Sequence, residues 1–89
     1  MEMDKILAER GTRYGAFPGH AAISQSLKRV MHATPNWALL TDAQKEALEM
    51  IASKIGRMLN GDPTYVDNPA DIGGYAALMA QSMREDAAG

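Results

Sequence analysis

An all-α fold, a small helical bundle built on a C-terminal antiparallel helical hairpin, follows from three features of the sequence. Thr41, with Gln44 three residues on, forms a capping box ahead of a long apolar run of helical period. Asn60-Gly61 stops that helix, and Asp62-Pro63 prevents a restart. Asn68 as N-cap, Pro69 at the first helical position and Asp71 at the third then open another helix. A stop followed so soon by a start turns the chain back along itself.

Residues 3–10 predict a short helix with Ile6 and Leu7 as its large apolar side chains, ended by Gly11. It is too short to stand alone and must dock on the rest. The segment from Gly11 to Gly19 predicts a Gly- and Pro-punctuated loop that displays Arg13, Tyr14 and Phe17. Tyr14 and Phe17 suit a binding role or a plug for the open end of the bundle. Residues 20–33 predict a second helix, with Ile23, Leu27, Val30 and Met31 as its buried stripe. Its Ser24, Lys28 and His32 share another face that suits solvent or an anion. Pro35 breaks that helix, and Trp37, Leu39 and Leu40 are expected to seal the core.

Along the main helix, residues 42–60, one broad apolar face carries Ala47, Leu48, Ile51, Ala52, Ile55, Met58 and Leu59. Asp42, Glu46, Glu49, Ser53 and Arg57 lie opposite, Lys54 sits at the border, and Gly56 leaves room for a helix or ligand to approach. In the last helix, residues 69–85, the expected core stripe is Ile72, Ala76, Met79 and Met83. Gly73, Ala77 and Ala80 form a small flank suited to close packing. Asp71, Tyr75, Leu78 and Ser82 form a separate flank suited to a helix or subunit contact.

The 89 residues fit one domain, 1–89. A net charge of -2 argues against an extended nucleic-acid surface and against an acidic DNA mimic. With no Cys there is no disulfide framework and no thiolate metal site, which fits a reducing compartment. No apolar run reaches the roughly 20 residues that span a bilayer, and the N-terminus lacks the order of a signal peptide. A cytoplasmic protein without a membrane partner is the expectation. Seven Met and one Phe make a soft core. A helical chain this short buries few faces, so a homo-oligomer is expected to complete the core.

Two groups of residues carry possible chemistry. Glu46 and Glu49, with Asp67 and Asp71 beyond the turn, could converge from antiparallel helices on Mg2+, which activates water against a nucleotide's phosphates. The helical wheel sets against this, since it puts both Glu on the face away from the core, and Asp71 is already explained as a helix-start residue. The second group is cationic: Lys54 and Arg57 near the end of the main helix, with Arg13 and Tyr14. Arginine and lysine recognise phosphate through charge-assisted hydrogen bonds, and tyrosine stacks on a base. The competing account gives Arg57 an ion pair with Asp62, Asp67 or Asp71. Tyr75 is counted with Asp67 and Asp71 among the ligand-binding candidates. No Ser-centred elbow, Walker loop or dinucleotide loop is present, and neither His has an orienting partner, so no catalytic residue is assigned.

The runs ERGTRYGAF (Glu9 to Phe17), PNW with EALEMIASKIGRMLNGD (Glu46 to Asp62), and DNPADIGGYAAL (Asp67 to Leu78) resemble a group of small bacteriophage and prophage proteins of unknown function. That group is in turn distantly similar to all-α nucleotide pyrophosphatases of the MazG type. Those enzymes bind Mg2+ and a nucleoside triphosphate through E-E-x-x-E followed by E-x-x-D. Glu46 and Glu49 match only the E-x-x-E part, and Asp67 and Asp71 replace the second motif at a different spacing. The resemblance therefore implies a phage accessory protein in the host cytoplasm that binds a nucleotide or nucleotide-derived signal without turnover and without a cofactor, blunting a host defence. It also implies two alternatives: an anti-CRISPR-like inhibitor that binds a host protein, and a minimal Mg2+-dependent pyrophosphatase.

Overall fold

The computed structural model describes residues 2–89 as four α-helices: α1 Glu2–Tyr14, α2 Phe17–His32, α3 Asp42–Asn60 and α4 Asp67–Ala88. A 3-10 turn, Pro35–Leu39, joins α2 to α3. The all-α class stands, with no strand among the described residues. α3 is the central rod: α4 packs along it most extensively, α2 next, and α1 rests lightly on the α2–α3 end. Three helices laid side by side with a fourth across one end give an elongated molecule, 49 × 25 × 24 Å. Its radius of gyration is 15.2 Å, against about 12 Å for a compact chain of this length. Among the described residues no helix is long and apolar enough to cross a membrane.

The hairpin forms where its local signals place it. Gln44 N–H donates to the Thr41 hydroxyl at 3.2 Å, and Thr41 N–H donates to Gln44 Oε1 at 2.8 Å, which closes the capping box. On α3, Ala47, Ala52, Lys54 and Gly56 are buried. Gly56 lies beneath His20 of α2, where a Cβ would come 3.1 Å from the ring nitrogen. That is the close helix approach expected of Gly56. Lys28 Nζ donates to Ser53 Oγ at 3.0 Å, and Ser24 Oγ lies 3.4 Å from the same hydroxyl, so the Ser24–Lys28 face turns toward α3.

Several boundaries differ from the sequence expectation. α1 runs through Gly11 to Tyr14, because pairs four residues apart span the glycine. Thr12 Oγ1 donates to the Ala8 carbonyl at 3.1 Å, and Arg13 pairs with Glu9 at 2.8 Å. Gly15, at φ 75°, is the true stop, in the left-handed region that glycine enters without a Cβ penalty. Arg13 and Tyr14 are thus helical, and Phe17 opens α2 with Pro18 behind it in the first turn. α4 begins at Asp67 with Val66 as N-cap, so Asn68 is not a cap; its side chain lies inside, 1% exposed. Leu39, 80% exposed, does not seal the core, whereas Trp37 packs its ring 4.7 Å from His32. On α4 the inward face is Asn68, Ile72, Tyr75, Met79 and Ser82; Ala76 and Met83 are exposed, and Gly73 has open space around it.

α1 is seated by the chain just beyond α3. Asp62 N–H donates to the Arg13 carbonyl at 2.7 Å. Asn60 Nδ2 donates to the carbonyls of Tyr14 at 2.7 Å and Ala16 at 2.9 Å, so one amide satisfies the last carbonyl of α1 and also holds the N-cap residue of α2. Gly61 allows this, since a Cβ there would overlap the Arg13 carbonyl and the Tyr14 backbone. Gly61→Ala should therefore cost roughly 2 kcal/mol by overpacking and unseat α1. Gly74→Ala on α4, which meets nothing within 4 Å, should stabilise by about 0.5–1 kcal/mol. Urea unfolding of the two variants checks the opposite signs.

Candidate functional site

The seating of α1 opens a cleft of about 660 Å³ between α1, the start of α2 and the end of α3. Its walls are mainly apolar: Met3, Ile6 and Leu7 from α1, and Phe17 from α2. Into it come Arg10 and Tyr14 from α1, His20 from α2 and Arg57 from α3. At 100° per residue Met3, Ile6, Leu7, Arg10 and Tyr14 share one face of α1, so a guanidinium sits within an apolar stripe. Arg57 lies over the Tyr14 ring at 4.6 Å from its centroid, and Arg10 lies at 5.8 Å. Among the described residues neither Arg10 nor Arg57 has a carboxylate within salt-bridge distance.

The acids that the sequence offers to Arg57 are used elsewhere. Asp62 Oδ1 accepts from the Thr64 hydroxyl at 2.6 Å and from Thr64 N–H at 2.9 Å, which holds its carboxyl below the usual range. Asp67 Oδ2 accepts from the Tyr65 hydroxyl at 2.6 Å, and that bond raises the phenol above its ordinary value. Asp71 pairs with Lys54 at 2.8 Å. The expected ion pair of Arg57 with one of these acids is therefore not formed.

Arg13 is drawn away from the cleft. Its guanidinium donates to the Tyr65 hydroxyl at 2.9 Å, lies 4.8 Å from that ring's centroid, and bonds Glu9 at 2.8 Å. Glu9, Arg13, Tyr65 and Asp67 make one chain of contacts that ties α1 to the turn and to the first residue of α4. The sequence reading missed Tyr65, an aromatic set between Asp62 and Asp67. The Tyr14 and Tyr65 rings meet edge-on at 6.1 Å. Arg13, Tyr14, Arg57 and Asp67 thus do gather near the bend, but only Tyr14 and Arg57 line the cleft.

The other sequence candidates stand apart. Lys54 and Asp71 form a bridge between α3 and α4; Lys54 is buried to 11% side-chain exposure while Asp71 is half exposed. Tyr75 borders a shallow hollow of about 300 Å³ with Ala70, Asp71, Gly74 and Leu78. Glu46 is exposed, and Glu49 lies 3.6 Å from His32. The expected convergence of Glu46 and Glu49 with Asp67 and Asp71 is absent. Among the described residues no three acidic or histidine side chains come together in a metal-holding group. Arg10 and His20 are cleft residues the sequence reading passed over. Arg10 stands four residues before Tyr14, a signal that shows only if α1 continues past Gly11.

His20 has a buried Nδ1 with no hydrogen-bond partner among the described residues. Burial first, and the Arg57 charge second, hold its pKa below the ordinary value, partly opposed by a Gly56 backbone group. At neutral pH the ring is mainly uncharged, so His20 adds no full third positive charge to the cleft.

Because folded His20 binds its proton more weakly than the unfolded chain does, its contribution to stability is complete above about pH 7.5 and is lost as pH falls through roughly 6.5 toward the folded pKa. The urea midpoint should fall between about pH 7.5 and 5.5, and His20→Asn should remove part of that slope. Asp71→Ala should cost about 1–2 kcal/mol by stranding Lys54, whereas Lys54→Met should be nearly neutral, since a buried ion pair repays little of its desolvation. Parallel denaturation curves of the two variants separate these outcomes.

A family model described as a domain of unknown function, DUF6378, matches residues 2–83, and that description names no activity, ligand or source. The comparisons with curated proteins and with solved structures returned no match. With nearly its whole length inside the match, the chain belongs to the DUF6378 family.

Proposed function

We propose that this chain is a non-catalytic binding protein for a small anion with a flat apolar body, a nucleotide or nucleotide-derived signal, held in the cleft beneath α1. The observation that carries this reading is a pair of guanidiniums, Arg10 and Arg57, without carboxylate partners among the described residues, at a mainly apolar cleft beside Tyr14. A volume of about 660 Å³ lies within the range of small-molecule sites. Phosphate oxygens would take hydrogen bonds from the arginines, and a base or other ring would lie against Tyr14, Phe17 and the α1 side chains. An arginine over a ring face is attracted by the ring's quadrupole without using its N–H donors, so Arg57 keeps them for a ligand.

Two positive charges in apolar surroundings suit one phosphate, as in a monophosphate or cyclic nucleotide, better than a triphosphate. Turnover is not part of the proposal, because the acids a metal would need are dispersed. In a phage setting, as the resemblance implies, such a protein would act by sequestering a defence signal. A second reading, binding to a host protein, rests on the individually exposed apolar side chains of Leu39, Val66 and Leu78.

Thermal-shift titration with nucleoside mono- and triphosphates and cyclic dinucleotides, with and without Mg2+, tests the ligand. A ligand at 100 times its Kd should stabilise the fold by about 2.7 kcal/mol. Monophosphates or cyclic forms should act without Mg2+, Arg57→Ala and Arg10→Ala should each weaken binding by about tenfold or more, and Lys54→Met should leave it unchanged. No shift with any nucleotide would favour the protein-binding reading, and Mg2+-dependent release of pyrophosphate would replace binding by catalysis.

A further inference from the structure

Beyond the ligand cleft, and independent of it, we propose that the face of the α2–α3–α4 layer turned away from α1 is the contact between two copies of this chain. α3 is flanked on two sides. Gly56 and Ser53 meet α2, and Lys54 meets α4. Between those flanks, Leu48, Ile51, Ile55 and Leu59 fall within one arc of about 80° at 100° per residue. The arc is only partly covered: Leu48, Ile51 and Ile55 are half-buried, and Leu59 is 69% exposed. Val30 of α2, 69% exposed, and Met83 of α4, 47% exposed, continue the apolar surface on either side. None of these residues lines the cleft.

A second copy is the occupant that the area calls for. Among the described residues the only buried hydrophobic side chains are Ala47 and Ala52, so no large apolar side chain is fully removed from water. The chain exposes 6049 Å². A folded monomer of its 9.6 kDa mass exposes about 5,100 Å². The surplus, roughly 900 Å², compares with the approximately 800 Å² that each partner buries in a stable interface. Part of that surplus lines the cleft, and exposed Leu59, Val30 and Met83 place another part on the outer face of the layer. An uncharged face of this kind is self-complementary about a two-fold axis, so two three-helix layers close face to face and give Leu48, Ile55 and Leu59 the core that one chain lacks.

Sedimentation velocity of the full chain, from about 1 to 100 µM, tests this across the usual affinity range for such contacts. Twice the chain mass is expected at the upper end. Leu59→Glu and Val30→Glu should each weaken association by roughly 30-fold or more. Because both side chains are exposed in the single chain, helicity by circular dichroism should be retained, and either variant serves if the other fails to fold. Leu78→Glu, equally disruptive in chemistry but on the other side of α4, should leave the dimer intact. A chain that stays monomeric at 100 µM, a dimer that survives both Leu59→Glu and Val30→Glu, or one broken as readily by Leu78→Glu would overturn the proposal.

Discussion

The close crossing of the end of α1 over the chain that leaves α3 is the constraint from which the candidate site follows. Helices end with carbonyls that have no partner inside the helix, and the last carbonyls of α1 meet the chain that leaves α3. Asn60 takes the Tyr14 carbonyl from across the molecule and adds a bond to Ala16 at the start of α2, while Asp62 N–H takes the Arg13 carbonyl. Backbone-to-backbone contact this close requires glycine on both sides. Gly61 has no room for a Cβ beneath Arg13 and Tyr14, and Gly15 adopts a positive φ against Asn60. Once α1 is held by this end, its apolar face has to look back over α2 and α3, and the cleft is the space beneath it.

The electrostatics of the bend then sort the charged residues into those that build and those left over. Each aspartate after the turn is already engaged: Asp62 by Thr64 and Asp67 by Tyr65, each two residues away, and Asp71 by Lys54 across the hairpin. Local partners win because a residue two positions away reaches its carboxylate at small entropic cost, whereas Arg57 would have to extend a long side chain away from Tyr14. Arg13 likewise takes Glu9, four residues back on its own helix. What remains is Arg57 on the Tyr14 ring and Arg10 near it, two cations without a carboxylate partner among the described residues. Placing them beside an uncharged His20 avoids a third positive charge.

The hairpin was legible because its signals are local. A capping box, an Asn-Gly stop and a Pro-marked start each act within one turn, and α3 has the bounds that its cap and stop predict. Gly11 misled for a complementary reason. Glycine in a helix costs about 1 kcal/mol, which side-chain pairs across it can offset, and the Glu9–Arg13 and Ala8–Thr12 contacts do so here. Ending α1 early hid Arg10 among hydrophilic neighbours, although on a helix reaching Tyr14 it lies in the middle of the apolar stripe. The α4 stripe was misassigned because Tyr75 is amphipathic and Ala76 small. Period alone puts either one toward α3, and the Lys54–Asp71 bridge rotates the helix so that Tyr75 and Ser82 turn in. Which acid would meet which base depended on such rotations, and no spacing rule encodes them.

A chain with so shallow an interior has to derive its stability from surfaces that look functional. Burying apolar area at about 25 cal/mol per Å² offsets the conformational entropy of roughly 1–2 kcal/mol per ordered residue only when large side chains leave water. Here the only buried hydrophobic residues among those described are the small Ala47 and Ala52. Covering the outer arc of α3 and filling the cleft would each remove apolar surface from water, and they do so at opposite faces of the same rod without sharing a side chain. Association on one face would hold α2 and α4 against α3, and the cleft is built on the ends of α2 and α3. A dimer would therefore present its two clefts already formed, so a ligand would lose less binding free energy to ordering the protein around it. The seating of α1 at Gly61 is the joint through which the cleft, though not the outer face of α3, depends on the hairpin.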